Sequence, residues 1–276
     1  FLILGTIVVF LHLFFGEVIL RTEEKHRLVG YAEKYLGKKA KGLVAFSTII
    51  GTIGALLVYI ILTGAFLKTI FPSAISAFQF SVIAWFFLSL LVLLGIKIIA
   101  SAELLMNIGL FVVIFIVFIF TVPKIKISNF ILTDFSYFFL PFGIFLFSLI
   151  GWNAVPEISS ILEQKKCLKK VIIFASTICL VFYVLFGLII SGVAGPKTTP
   201  EALNGLAGIM GQKIMVLGGI FGLLAVATSF LILGNYLKNT LIFDYRLSPF
   251  LAFLITCFLP LFLFLVVNGN ESNKFI

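Results

Sequence analysis

Gly151, Asn153, Pro156 and Glu157 stand close together inside an otherwise apolar run, Phe138 to Leu162. The run is long enough to cross a bilayer, for which about 20 apolar residues suffice. Its middle is poorly suited to an unbroken helix. Proline lacks the backbone donor and crowds the preceding turn, and glycine leaves helical geometry at low cost. In hydrocarbon, the freed backbone groups must find partners or line a cavity. Ser148 and Asn153 flank Gly151 and offer donors and acceptors where the helix should open. A span interrupted at mid-depth is how many secondary transporters build a substrate site. The same residues also fit a kinked but ordinary span, since glycine and proline are common in membrane helices. Glu157, just past the break, suits anchoring of a half-helix end, gating or proton coupling.

Ionisable or hydroxylated side chains elsewhere in apolar runs are the other candidates, because such groups are costly in a membrane. Glu17 lies four residues before Arg21, the spacing of an ion pair on one helix face. His12 has no partner visible in the sequence; it fits a packing histidine or, with a reference pKa near neutrality, a proton carrier. Gly51, Ala55 and Tyr59 are spaced four apart and predict a small-residue seam leading to the phenol. Tyr59 then either aims its hydroxyl at a substrate or at exposed backbone, or is a structural tyrosine. Thr228 and Ser229 are adjacent hydroxyls that either bond back to their own helix or supply oxygen ligands to a hard cation such as sodium.

These residues need elements to hold them, and composition says which. The chain has 276 residues, 62% of them hydrophobic and 11% charged, at a mean hydropathy of +1.25. That is a polytopic helical membrane protein, all-α, in contact with a lipid bilayer and not with nucleic acid. Eight spans are predicted: Phe1 to Leu20, Gly42 to Phe71, Ala77 to Ile99, Ala102 to Val122, Phe138 to Leu162, Val171 to Val193, Ile214 to Leu237 and Pro249 to Val267. The basic stretch Arg21 to Lys41 predicts a short interfacial helix, since Leu28, Tyr31, Tyr35 and Leu36 fall near helical spacing. Loops after spans one, three, five and seven carry fourteen Lys and Arg against six on the other side. The richer side is expected to be cytoplasmic. The first span then runs inward from an outside start, and an upstream helix would repair that arrangement. Cys167, Cys179 and Cys257 form no disulfide pattern.

Spans two and seven share a pattern: Gly51, Gly54 and Val58 match Gly219, Gly222 and Val226. Five spans apart and opposite in direction, they fit an inverted five-helix repeat; chance similarity between Gly- and Leu-rich helices also fits. The spans hold no paired aspartates, no metal-ligand set and no nucleophile with a base, so an enzyme is not expected.

Several segments resemble amino-acid permeases of the amino acid–polyamine–organocation superfamily, in the amino acid/auxin and aromatic amino-acid groups. GWNAVPEI, Gly151 to Ile158, looks like the glycine, aromatic, then Pro-Glu segment of their sixth helix. GEVILRT (Gly16 to Thr22), LLVYIILTG (Leu56 to Gly64) and ATSFLILG (Ala227 to Gly234) resemble parts of their second, third and eighth helices. FDY, Phe243 to Tyr245, falls where that group often has such residues. The resemblance implies a partial leucine-transporter-like inverted-repeat fold within a single domain, 1–276. Residues 1–122 would be the rest of the first repeat and 137–267 most of the second. It implies substrate contacts from Ser148, Gly151, Trp152, Asn153 and Tyr59, an ion site at Thr228 and Ser229, and gating or structural roles for Pro156 and Glu157. It further implies that the fold's first, likewise broken helix comes from an upstream segment or a separate chain, this sequence being a fragment. The expected activity is secondary active transport of neutral or aromatic amino acids at the plasma membrane by alternating access, with H⁺ or Na⁺ coupling and no other cofactor. A non-transporting membrane subunit or channel is the alternative.

Overall fold

The structure is a computed structural model and describes residues 2–130, 139, 142–198, 211 and 213–272. Among the described residues all regular structure is helical, and eight segments are long and apolar enough to cross a membrane. The long helices are α1 (Leu2–Arg21), α3 (Lys38–Ile70), α4 (Ala77–Leu94), α5 (Ile96–Thr121), α8 (Leu168–Ala194), α9 (Lys213–Phe243) and α10 (Pro249–Ser272). The short ones are α2 (Leu28–Leu36), α6 (Phe142–Leu149) and α7 (Ala154–Ile161). Only helices satisfy every backbone group within one segment, which is what a lipid environment demands. Outward positions such as Leu104, Leu105 and Phe115 are exposed apolar side chains, as lipid contact requires.

The expected spans and the short helix over Leu28–Leu36 are present. One boundary moves. The third span ends at Gly95, not near Ile99, because Gly95 adopts φ +94°, a left-handed conformation that terminates α4. The loop after the fourth span holds two 3-10 turns, Val122–Lys124 and Ile127–Asn129. Residues 131–136 of that loop, most of the Ala194 to Gln212 loop, and Phe138, Leu140 and Pro141 of the fifth span lie outside the described residues.

The chain divides into two compact units, Phe1–Glu23 with Val112–Gly218, and Glu24–Phe111 with Gly219–Ile276. In the first, α1 lies along α8 through its glycines. A Cβ on Gly5 would meet the Leu180 side chain at 2.6 Å, and one on Gly16 would meet Ile172 at 3.0 Å. The carbonyl end of α8 is capped from outside the helix: Asn129 Nδ2 donates to Gly192 O (2.8 Å) and Val193 O (3.1 Å).

In the second unit, α3, α4, α9 and α10 share a core that includes Leu56, Ile60, Trp85, Val92, Phe230, Leu231, Phe253 and Cys257. The Trp85 indole N–H donates to Cys257 O at 2.9 Å, one turn from Pro260, which withdraws a ladder donor from the interior of α10. The buried Lys238 amine donates to Val92 O. Glycines on α9 admit α3: a Cβ on Gly222 would strike the Phe66 ring at 2.4 Å. The seam expected through Gly51 and Ala55 is not the packed face of α3. Gly51 is exposed and a Cβ there would meet nothing within 4 Å, whereas Thr52, Leu56, Ile60 and Thr63 are buried. The close approach falls one turn past Tyr59, at Gly64, where a Cβ would lie 2.3 Å from Ala77 O.

The basic stretch is fastened to this unit through α2. A helix N-terminus exposes amides with no partner in their own helix. Here they are met by α9 and the residue after it. Arg27 N donates to Asp244 Oδ1 (3.0 Å) and Oδ2 (3.2 Å), and Leu28 N donates to the Tyr236 hydroxyl (3.2 Å). His26 Nδ1 lies 3.3 Å from Asp244 Oδ1, and its Nε2 lies 3.3 Å from Glu24 Oε2. The Arg27 guanidinium sits 4.9 Å from the centroid of the Phe243 ring. Lys34 beside Glu24, with His26 adding to it, and Lys41 beside Glu33 hold both carboxyls below their usual range.

Candidate functional site

The fifth span is interrupted at the predicted place. α6 ends at Leu149, α7 begins at Ala154, and Gly151, Trp152 and Asn153 turn between them. Pro156 does not kink a continuous helix. It sits in the first turn of α7, where a helix lacks an internal acceptor for that N–H in any case. Glu157 follows in the same turn, 1% exposed. A carboxylate there is favoured by the positive end of the helix dipole.

Each polar group at the break has a describable environment. Ile150 N still donates to Leu146 O (3.1 Å), the last helical bond of α6, and Ala154 N donates to Gly151 O (3.0 Å), the first turn after it. Gly151 N has left its own helix and donates to His12 Nε2 of α1 at 3.1 Å. A Cβ at Gly151 would make an ordinary contact with the imidazole, 3.5 Å from its Cε1. One turn along α1, Phe15 meets Trp152 edge to face, with centroids 6.4 Å apart. Ser148 Oγ donates to Phe145 O (2.9 Å) and so keeps lone pairs available. Asn153 Oδ1 is buried without a hydrogen-bond partner among the described residues, an acceptor that is costly to leave empty. At the other end of α1, Glu17 pairs with Arg21 (2.6 Å), as the spacing predicts, and also with Lys169 of α8 (2.8 Å).

The remaining sequence candidates lie in the second unit, and the structure brings them together. Tyr59 on α3 and Ser229 on α9 lie near enough for their hydroxyls to interact. Thr228 Oγ1 donates to Leu224 O (3.1 Å) or Ala225 O (3.0 Å), and Ser229 Oγ donates to Ala225 O (2.9 Å). Both hydroxyl protons are thus turned onto the helix, while a hydroxyl oxygen that donates in this way retains lone pairs for another ligand. Among the described residues no cluster of three or more His, Cys, Asp or Glu fits a metal ion, and all three cysteines are free thiols.

Sequence reasoning missed three features. It left His12 without a partner, although a histidine in an apolar helix implies one. It gave no role to Asp244, although a carboxylate just past a helix end signals a capping contact. It did not single out Lys238, a cation buried within α9.

Eight apolar helical segments, one of them opened at its middle, define a multi-pass membrane protein with an interrupted span. The model of the tryptophan/tyrosine permease family matches residues 1–267, and the chain belongs to that family. This is a family of amino-acid transporters and not of enzymes. No curated protein and no solved structure gives a significant match.

Proposed function

We propose that the protein is a secondary active permease of the plasma membrane that carries an aromatic amino acid, tryptophan or tyrosine, by alternating access. The observation that carries this reading is the open break at Gly151, Trp152 and Asn153 in a chain of this family. Backbone released from a helix can serve a zwitterion in exchange for its local partners, here His12 at Gly151 N and Ala154 N at Gly151 O. Asn153 Oδ1 offers a desolvated acceptor for an ammonium group, Ser148 a second oxygen, and Trp152 a flat apolar face for an aromatic side chain. In the second unit Tyr59 offers a phenol, and the oxygens of Thr228 and Ser229 keep lone pairs for a sodium ion if sodium is the coupling ion. Pro156 and Glu157 fix the start of α7 and thereby the far edge of the break. A leucine-transporter-like inverted repeat fits the pairing of spans two and seven.

The test is uptake of labelled tryptophan, tyrosine, leucine and glutamate in cells lacking their own aromatic uptake, under imposed proton or sodium gradients. Aromatic substrates should accumulate, glutamate should not, and Gly151→Leu should abolish accumulation at unchanged surface expression. Unchanged uptake in Gly151→Leu would remove the break from the substrate site.

A further inference from the structure

Interruption of a membrane helix frees a backbone amide, and at this break a histidine from another helix takes it. Gly151 N lies 3.1 Å from His12 Nε2. A backbone N–H can only donate, so Nε2 accepts and carries no proton. The ring is then neutral, with its hydrogen on Nδ1. His12 is 7% exposed, so bulk water is not at hand to replace the bond. A proton added at Nε2 would set two donors against each other and end the interaction.

We propose that His12 is a positioning residue that fixes the break by accepting the Gly151 amide at a bare Nε2, and that protonation of the ring releases Gly151. Among the described residues, the helices that pack most closely on α1 are α6, α7 and α8. α6 carries no titratable group, and α7 carries Glu157. α8 carries Lys169, Lys170, the exposed Cys179 and Tyr183, and α1 itself carries Glu17 and Arg21. Glu17, Arg21 and Lys169 are engaged with one another at the end of α1. The titratable group on the helix that starts at the break is Glu157, buried in the first turn of α7. A positive charge on His12 therefore arises beside the segment read above as substrate-binding. The consequence for transport rests on that reading, whereas the latch itself does not.

The experiment is hydrogen–deuterium exchange of the segment containing Gly151 in the purified full chain, from pH 3.5 to pH 8.5, corrected for intrinsic exchange chemistry. The native protein should be protected at high pH and exchange faster at low pH. An unpartnered buried amide costs about 1–3 kcal/mol, so the change should be about 5- to 100-fold. His12→Gln keeps an acceptor without a titrating group and should stay protected throughout. His12→Phe fills the space without an acceptor and should be unprotected throughout. A flat profile in the native protein, or native-like protection in His12→Phe, would overturn the latch. Tryptophan uptake by the same variants separates the two readings. If exchange follows the expected pattern and uptake is indifferent to it, the latch stands and the break is not the substrate site.

Discussion

Removal of the Asp244 carboxylate should free the basic helix α2 from α9. The side chain of Asp244 is fully buried and accepts Arg27 N through both oxygens, at 3.0 and 3.2 Å, with His26 Nδ1 at 3.3 Å. A hydrogen bond to a charged acceptor contributes about 1.5–3 kcal/mol, and Asp244→Ala also strands a buried amide. Taking about 2 kcal/mol, the opening equilibrium of α2 should rise roughly 30-fold, at about 1.4 kcal/mol per decade. Asp244→Asn keeps one acceptor oxygen and should lose about 1 kcal/mol, roughly fivefold. Val29 is fully buried in α2 and offers a place to read the opening. In a background with Cys167, Cys179 and Cys257 replaced by Ala, a Val29→Cys thiol should react with maleimide only when α2 lifts. Its labelling rate should rise in the order native Asp244, Asp244→Asn, Asp244→Ala. Equal rates for native and Asp244→Ala would show that the carboxylate does not hold the helix, and the capping account would fail.

Three further outcomes are expected. Gly64→Ala should destabilise the protein by about 2 kcal/mol or more, because its Cβ would press on the Ala77 carbonyl. Gly51→Ala, where a Cβ meets nothing, should be neutral or stabilising by up to about 1 kcal/mol; thermal unfolding in detergent compares the two. Acid should loosen α2. The Glu24 and Glu33 carboxyls sit below their ordinary 4.5 through Lys34 and Lys41 respectively. Their contribution is therefore complete above that value and disappears as pH falls through the depressed range. Reaction of the Val29→Cys thiol with a dithiodipyridine probe, divided at each pH by the rate of the same thiol in the unfolded chain, should accelerate below about pH 4.5 and stay level between pH 6 and 8. Asn129→Ala removes the donor shared by Gly192 O and Val193 O and should cost about 1–2 kcal/mol, seen as a melting temperature lower by a few degrees.

Local signals carried most of the architecture. Eight apolar runs near bilayer length gave eight spans, and the break at Gly151 was legible because glycine and proline act on their own backbone. The end of α4 was not. Gly95 terminates the helix by adopting φ +94°, and the sequence around it, with Lys97 two residues later, reads equally well as a turn further on. The seam through Gly51 failed for a related reason. Spacing shows which residues share a face, but not which face a neighbour covers, and Gly64 meets α4 only because the chain turns back at Pro72. The contacts that shape the candidate site and fasten α2 join residues far apart in sequence, His12 to Gly151 in the one and Arg27 to Asp244 in the other. Their side-chain types hinted at partners, and only the tertiary arrangement identified them. The nearness of Tyr59 and Ser229 lies between, since the repeat pattern singled out their helices and the fold set them side by side.

The protein has two tryptophans, and they occupy opposite kinds of environment. Trp85 is 9% exposed, with its indole N–H bonded to Cys257 O in the core of one unit. Trp152 is half-buried in the other, at the opened turn, edge-on to Phe15. One indole is therefore an optical constant and the other an optical variable. Emission from Trp85 should hold its wavelength while the second component shifts with whatever enters or leaves the break. The native chain thus carries its own internal standard for fluorescence, with no label to attach.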